Sequence, residues 1–342
     1  MKEYILDDAD YRTISKTNTK NAGSKARRDL EYFLSDAKPA YCTVTRTNKF
    51  KNIRHLLRVK QKIKKGMIIV QYPLYIGDFY KKMITPMFKN HGVAFIHDLE
   101  CLRLYKKQPE FIKKEIEELN QYSKIVVHNE KMKQWLLDNG CTRPMICLDI
   151  FDYQTESEVV SEDKMPTTNP YQISFAGNLS MEKSPFIYKL DELKNQDIMW
   201  HLFGVGYEEK NSSNKIKYEG AFEPQNIPKI LCHSHFGLVW DGGSLNACKG
   251  IMGEYQQYNN PHKCSLYLSV GVPIIVWQQA AMADFVEKNK VGICIHSLEE
   301  LEEKLSKLNK EDYAVLKKNA VEMSEKIRSG YFTNAAIKKV KG

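Results

Sequence analysis

Residues 236–243 read Phe236-Gly237-Leu238-Val239-Trp240-Asp241-Gly242-Gly243. A short apolar run ends abruptly in an acid and two glycines, the pattern of a strand buried on both faces that stops at a turn. A helical stretch from Lys263 to Val270 follows, then Gly271-Val272 and a second apolar run, Pro273 to Trp277. Strand, helix, strand at this spacing predicts a βαβ unit with a parallel sheet. Upstream the rhythm repeats. Gln172 to Phe175 ends at Gly177, and Met199 to Phe203 ends at Gly204-Val205-Gly206.

The first half has the same form. Met67 to Val70 is stopped by Pro73, Val93 to Ile96 is followed by His97-Asp98, and Ile125 to Val127 precedes a helical stretch from Glu130 to Asn139 closed by Gly140. Residues 154–168, rich in Ser, Thr, Glu and Asp and containing Pro166, interrupt the alternation and are expected to be a linker. The predicted fold class is α/β: residues 1–153 form one doubly wound domain and residues 169–326 a second. In such sheets ligands bind at the carboxyl ends of the strands, so the cleft between two facing domains is the expected site.

Composition agrees. The chain has 342 residues, 42% hydrophobic and 27% charged, which suits about two globular domains and excludes a disordered chain, a collagen or a coiled coil. No apolar run approaches the roughly 18 residues of a membrane span, and the N-terminus lacks an apolar signal core, so the expected address is cytoplasmic. Eight cysteines show no Cys-x-x-Cys pair or zinc-finger spacing and are read as free thiols. The net charge is +9, and no acid lies between Asp36 and Asp78, where Arg46, Lys49, Lys51, Arg54, Arg58, Lys60, Lys62, Lys64 and Lys65 crowd together. With Ile53, Leu56, Leu57 and Ile63 at helical spacing, the block reads either as a solvated helix face over the core or as a basic amphipathic helix on anionic lipid. No nucleic-acid-binding motif accompanies it.

The strand endings carry the candidate chemistry: Asp98 and Glu100, Gly177-Asn178, Gly204-Val205-Gly206 and Asp241-Gly242-Gly243. Glycines there let backbone approach a ligand and offer N–H groups to phosphate. None makes a Gly-x-Gly-x-x-Gly or Walker pattern, so neither NAD nor ATP binding is supported. In Asn259-Asn260-Pro261-His262-Lys263, Asn260 is expected to cap a helix opened by Pro261, placing His262 and Lys263 at its positive end as a seat for pyrophosphate.

From Phe236 to Ile295 the chain resembles bacterial polysaccharide β-1,6-galactofuranosyltransferases. The resemblance is carried by the 236–242 run, Gly253-Glu254-Tyr255, Asn259 to Lys263, Ser265 to Ser269 and Ala283-Asp284-Phe285. It extends to Ala176 to Ser180 and to Ala22-Gly23 with Lys25-Ala26-Arg27. More distantly the chain is similar to streptococcal glucosyltransferases that extend GlcNAc on serine-rich adhesins, through Phe95 to Asp98, Gly177-Asn178 and Lys263. The resemblance implies a GT-B glycosyltransferase with two Rossmann-like domains facing across a cleft, a UDP-sugar bound mainly by the C-terminal domain, and a last helix (residues 327–342) that crosses back to the first domain.

The family's donor and β-linked product imply inversion, which needs a base on the acceptor hydroxyl. Asp98 is the first candidate, with His97 and Glu100 behind it. Lys263 and Lys183, with backbone N–H groups near Gly177 and Gly23, are expected to stabilise the departing UDP; Gly204 to Gly206 to hold the uracil edge; Glu254 to reach the ribose. Asn178, Asp241, Asn260 and His262 complete the expected donor site. Tyr258 and Leu266 stand where retaining GT-B enzymes often carry paired glutamates. No Asp-x-Asp motif follows a strand, since Asp7-Asp8-Ala9-Asp10 lies at the terminus with none expected before it. No metal or other cofactor is therefore expected.

The expected activity is transfer of a hexosyl unit, galactofuranose first, from a UDP-sugar to a glycan or lipid-linked glycan, with peripheral contact to anionic membrane. The alternatives are a UDP-glucose-dependent glucosyltransferase and a non-catalytic nucleotide-sugar-binding partner. An epimerase is disfavoured by its missing signatures. Acceptor, linkage and oligomeric state, a homo-oligomer included, are not specified by the sequence.

Overall fold

The computed structural model describes residues 2–9, 22–45, 48–64, 66–105, 108–160, 170–193, 197–208 and 213–342. Arg46, Lys65, Asp10 and the 161–168 part of the expected linker lie outside them. The chain divides into two compact units, residues 1–149 with 332–342, and residues 150–331. The division at Asp149 and Ile150 falls just before the expected linker. The chain returns to the first unit through the C-terminal helix Tyr331–Lys341. Gly330, at φ 75°, supplies the left-handed turn between this helix and Lys310–Arg328. Lys124 Nζ then donates to the Val340 carbonyl, and Lys341 pairs with Glu3 at 2.6 Å.

The first unit holds β1 (Glu3–Asp7), β2 (Lys38–Tyr41), β3 (Met67–Tyr72), β4 (Gly92–Ile96), β5 (Lys124–Val127) and β6 (Met145–Cys147), all parallel, in the order β2-β1-β3-β4-β5-β6. The second holds β7 (Tyr171–Ala176), β8 (Ile198–Phe203), β9 (Ile216–Gly220), β10 (Phe236–Val239), β11 (Ile274–Trp277) and β12 (Gly292–Ile295). These are also parallel, in the order β12-β11-β10-β7-β8-β9. Central strands such as β4, β10 and β11 are buried at every residue, as expected where helices cover both faces.

In each sheet the strand order reverses at one place, between β1 and β3 in the first and between β7 and β10 in the second. Such switch points open a crevice at the carboxyl ends of the strands.

One expectation is corrected here, and one of the two alternatives for the basic block is favoured. Asp7-Asp8-Ala9-Asp10 is expected to have no strand before it, but β1 ends at Asp7, so Asp7 and Asp8 sit at the first switch point and the lack of a preceding strand no longer argues against a metal. The basic block forms the helix Lys49–Ile63, but its inward face is Asn52, Leu56, Val59 and Ile63, while Leu57 and Phe50 are exposed. Its apolar stripe is therefore consumed by the core of its own unit, and only its basic outer face remains available. All eight cysteines are free, seven of them buried. No helix among the described residues is long and apolar enough to cross a membrane.

Candidate functional site

At the switch point of the second unit one glycine fixes one tyrosine, and the tyrosine fixes a lysine. A Cβ on Gly237 in β10 would lie 2.1 Å from the Tyr267 ring, so only glycine lets that ring lie flat on the strand. The Tyr267 hydroxyl accepts from the Ala176 N–H at the end of β7 (2.8 Å). Tyr267 is thereby tied to both strands that flank the switch point, and it anchors the helix His262–Leu268 above them. Lys263 is four residues earlier and shares its face. Its aliphatic end packs over Gly177, its Nζ lies 4.8 Å from the Phe175 ring centroid, and it pairs with Asp241 at 3.0 Å.

Asp241 is held in turn. Gln256, 1% exposed, donates through Nε2 to the other carboxylate oxygen at 3.0 Å. A Cβ on Gly253 would meet the Asp241 carbonyl at 2.9 Å, so glycine there lets the helix Gly250–Tyr255 close on this corner. Glu254 lies on that helix, half-buried, and not in an irregular loop.

The loops after β7 and β8 are stitched together. The Gly177 N–H donates to the Phe203 carbonyl (2.9 Å), and the Leu179 N–H to the Val205 carbonyl (2.8 Å). Gly204, at φ 148°, has no room for a Cβ beside the Gly177 carbonyl. Gly204 N–H also donates to Gly220, and its carbonyl accepts from the Tyr218 hydroxyl at 3.0 Å. These main-chain groups, expected to hold uracil, are thus engaged within the unit. Val205 and Gly206 remain exposed. Beside them Tyr188, Tyr207 and Tyr218 stack in a row, with centroid separations of 5.6 and 4.9 Å, a feature the sequence reading missed.

The other expected donor residues are divided. Asn178 is exposed, and its side chain accepts from the Ser180 N–H, shaping the loop. Lys183 is half-buried on the turn that follows. Asn260 is buried, but Pro261 occupies the cap position and no side chain caps the helix, which corrects the expected Asn260 cap. His262 stacks on Phe151 (centroids 4.5 Å apart) with both ring nitrogens buried, so it packs the start of the unit.

The first unit fills its switch point with its own charges. Arg27, on the helix Ala22–Phe33, pairs with Asp7 and donates to the carbonyls of Gln71 and Pro73 (3.1 and 2.7 Å). Burial is the largest influence on the Asp7 carboxyl and pushes its pKa upward, while the Arg27 guanidinium pulls it back. Gln71 donates through Nε2 to Asp7 at 2.8 Å, which leaves its Oε1 to accept from His97 Nε2 at 2.9 Å. His97 is therefore bound into a buried relay, and its Nδ1 is buried as well. Gly23 sits exposed near the start of the Arg27 helix.

Asp98 behaves differently. Its side chain is 31% exposed and forms an ion pair with Arg103 at 2.7 Å. Glu100 opens the short helix Glu100–Arg103. Its N–H and that of Cys101 donate to the buried Glu115 carboxylate (3.2 and 2.7 Å), which also accepts from the Tyr72 hydroxyl. Burial raises the Glu115 pKa against these donors. Glu115 thus pins the segment that carries Asp98 and Glu100. The sequence reading named none of Gln71, Glu115, Arg103 or Gln256 as a site residue.

Two doubly wound parallel units are the architecture of GT-B glycosyltransferases. Comparison with known proteins agrees. The family models for the N-terminal and C-terminal domains of glucosyltransferase 3-like proteins match residues 11–150 and 173–340, and the chain belongs to that family. It is 30% identical to the β-1,6-galactofuranosyltransferase WbbI of Escherichia coli K12 over 98% of each chain. It is 25% identical to glucosyltransferase 3 of Streptococcus gordonii over 79% of this chain and 78% of that one. Among solved structures, Anabaena HepE in complex with UDP superposes over the full length of both chains with a TM-score of 0.62 at 12% identity. The galactosyltransferase WaaB gives 0.60 at 12%, over 99% of each chain.

Proposed function

We propose that this glycosyltransferase moves a hexosyl unit, galactofuranose first, from a UDP-linked donor to a hydroxyl of a glycan acceptor, with inversion at the anomeric carbon. The observation that carries this reading is Lys263, fixed by Tyr267 and Gly237 over Gly177 at the switch point. A cation beside exposed loop backbone, at the carboxyl ends of parallel strands, suits a diphosphate. The 30% identity to WbbI favours galactofuranose.

In this reading the second unit binds the donor. Lys263 receives the diphosphate, assisted by Lys183 and by the backbone N–H of Asn178. The exposed Val205-Gly206 edge and the Tyr218 ring lie against the base, and Glu254 serves the ribose. The acceptor oxygen attacks the anomeric carbon, the bond from that carbon to the UDP oxygen breaks, and the acceptor proton passes to Asp98. Asp98 takes this role because its carboxylate reaches solvent, while His97 Nδ1 is buried and Nε2 is engaged by Gln71 Oε1. Lys263 supplies the charge for departing UDP, so no metal is required.

The acceptor is a surface-polysaccharide glycan, carried on a lipid at the cytoplasmic face of the membrane. The basic outer face of Lys49–Ile63 suits anionic lipid. Liposome binding that ignores both anionic lipid and neutralisation of Lys60, Lys62 and Lys64 would remove this part.

The second reading is a UDP-glucose donor, favoured by the glucosyltransferase 3 relatives. A thermal-stability panel of UDP, UDP-glucose, UDP-galactose and UDP-galactofuranose decides between them. A saturating ligand at about 100 times its Kd adds about 2.7 kcal/mol. Stabilisation by UDP and UDP-galactofuranose supports the first reading, and by UDP and UDP-glucose the second. No shift with any uridine nucleotide would overturn both.

A further inference from the structure

Resting on the reading that a UDP diphosphate seats on Lys263, we infer that Asp241 is a fixed competitor for that lysine, tuned to expel the product UDP. Lys263 and Asp241 are 3.0 Å apart, with side chains only 18% and 16% exposed, so their charges are poorly screened by water. An incoming phosphate must share or take Lys263 from a carboxylate that already holds it.

The carboxylate has little freedom to withdraw. One oxygen faces Lys263, and the other accepts from Gln256 Nε2 at 3.0 Å. Gln256 is itself buried, and its carbonyl accepts from the Ala281 N–H at 2.8 Å. The Asp241 carbonyl is packed against Gly253. The negative charge therefore stays beside the diphosphate after the ligand has bound.

Its cost depends on the ligand's charge. A sugar nucleotide has both phosphates esterified and carries about two negative charges. After the glycosidic bond to the phosphate breaks, UDP has a terminal phosphate with a second pKa near 6 and carries about three. Repulsion from a fixed carboxylate is greater for the more charged species. Asp241 thus weakens product more than substrate, while Lys263 still provides affinity for both. Gln256 is the positioning residue that keeps the carboxylate in place.

The test is calorimetric titration of the full-length protein at low salt and pH 8 with UDP and, separately, with UDP-galactose and UDP-glucose. Asp241→Asn keeps the shape and an oxygen acceptor for Lys263 but removes the charge. The expected result is UDP binding about fivefold tighter than wild type, from loss of one close like-charge interaction. The gain for whichever sugar nucleotide binds should be smaller, and UDP should become a stronger product inhibitor. Asp241→Ser should shift UDP binding in the same direction and serves if the Asn variant fails to fold. Equal or weaker UDP binding by the folded variants would overturn the inference, because a merely structural or ligand-holding Asp241 predicts that sign. Wild-type protein that binds no uridine nucleotide would instead overturn the donor reading itself, and this inference with it.

Discussion

The two units share a parallel, doubly wound architecture, yet their switch points are built in opposite ways. In the first, Arg27 is spent on Asp7 and on two carbonyls, and Gln71 and His97 extend the buried network. In the second, a single lysine is held by a single carboxylate over a glycine floor, with exposed loop backbone beside it. An arginine held by a buried acid and two carbonyls, with Asp8 a further 3.7 Å contact, stabilises a fold. A lysine with one charged partner can exchange that partner for a ligand. On the proposed reading, the same topological opening is structural glue in one unit and a binding seat in the other, and the difference lies in a few side chains.

The sharpest way to break this comparison is at Asp98, whose side chain in the first unit is 31% exposed. Asp98→Asn should lower kcat about a thousandfold while UDP affinity stays near wild type, measured as UDP release against calorimetric binding. A loss below tenfold would move the base elsewhere.

Arg27→Met asks whether the first switch point is structural. Stranding the buried Asp7 should reduce unfolding free energy by about 3–5 kcal/mol in denaturant melts. UDP affinity of the folded protein should not follow. A variant of wild-type stability that had lost UDP would reverse the assignment.

His128 gives a pH signature to the first unit. It is fully buried at the end of β5, its Nε2 3.1 Å from the Ile96 carbonyl, and burial lowers its pKa to about 4 from 6.5. The unfolded chain therefore takes up this proton first as pH falls. Stability should be lost between about pH 6.5 and pH 4, by about 3 kcal/mol from this group. His128→Asn should flatten that part of the stability profile; an unchanged slope would show that the ring is not buried as described. The smallest effect expected is that of EDTA, which should leave turnover unchanged because Lys263 supplies the charge; abolished turnover would count against that role.

The central strands β3, β4, β5, β7, β8, β10 and β11 were legible as short, mainly apolar runs, with a glycine, proline or acid one or two residues after β3, β4, β7, β8 and β10. The strands missed include all four sheet edges. β2 contains Pro39, which an edge tolerates; β9 alternates with Lys217 and Glu219; β6 and β12 are apolar but only three and four residues long and partly exposed. β1 was missed because its apolar core, Tyr4-Ile5-Leu6, is short and lies between acids. With it went the meaning of Asp7.

The candidate residues that the sequence singled out follow strand ends, as Asp98 and Gly177 do, or open a helix, as Lys263 does. The site was illegible where function depends on a neutral amide. Gln71 interrupts the apolar run of β3, and a polar residue inside a buried strand is itself a signal. Gln256 carries no such mark, because its role exists only once Asp241 is brought beside it. His262, which looked like a cation beside Lys263, turned out to be half of an aromatic stack with Phe151, and no local pattern separates those two fates.

The most direct test of the account is a UDP titration of wild-type protein and Lys263→Ala under identical salt. Wild-type protein should bind UDP, and the variant, still folded, should bind at least about thirtyfold more weakly, as expected when a partly buried charge pair to a phosphate is removed. Equal affinity in the two proteins would contradict the claim that the switch point of the second unit is the donor seat.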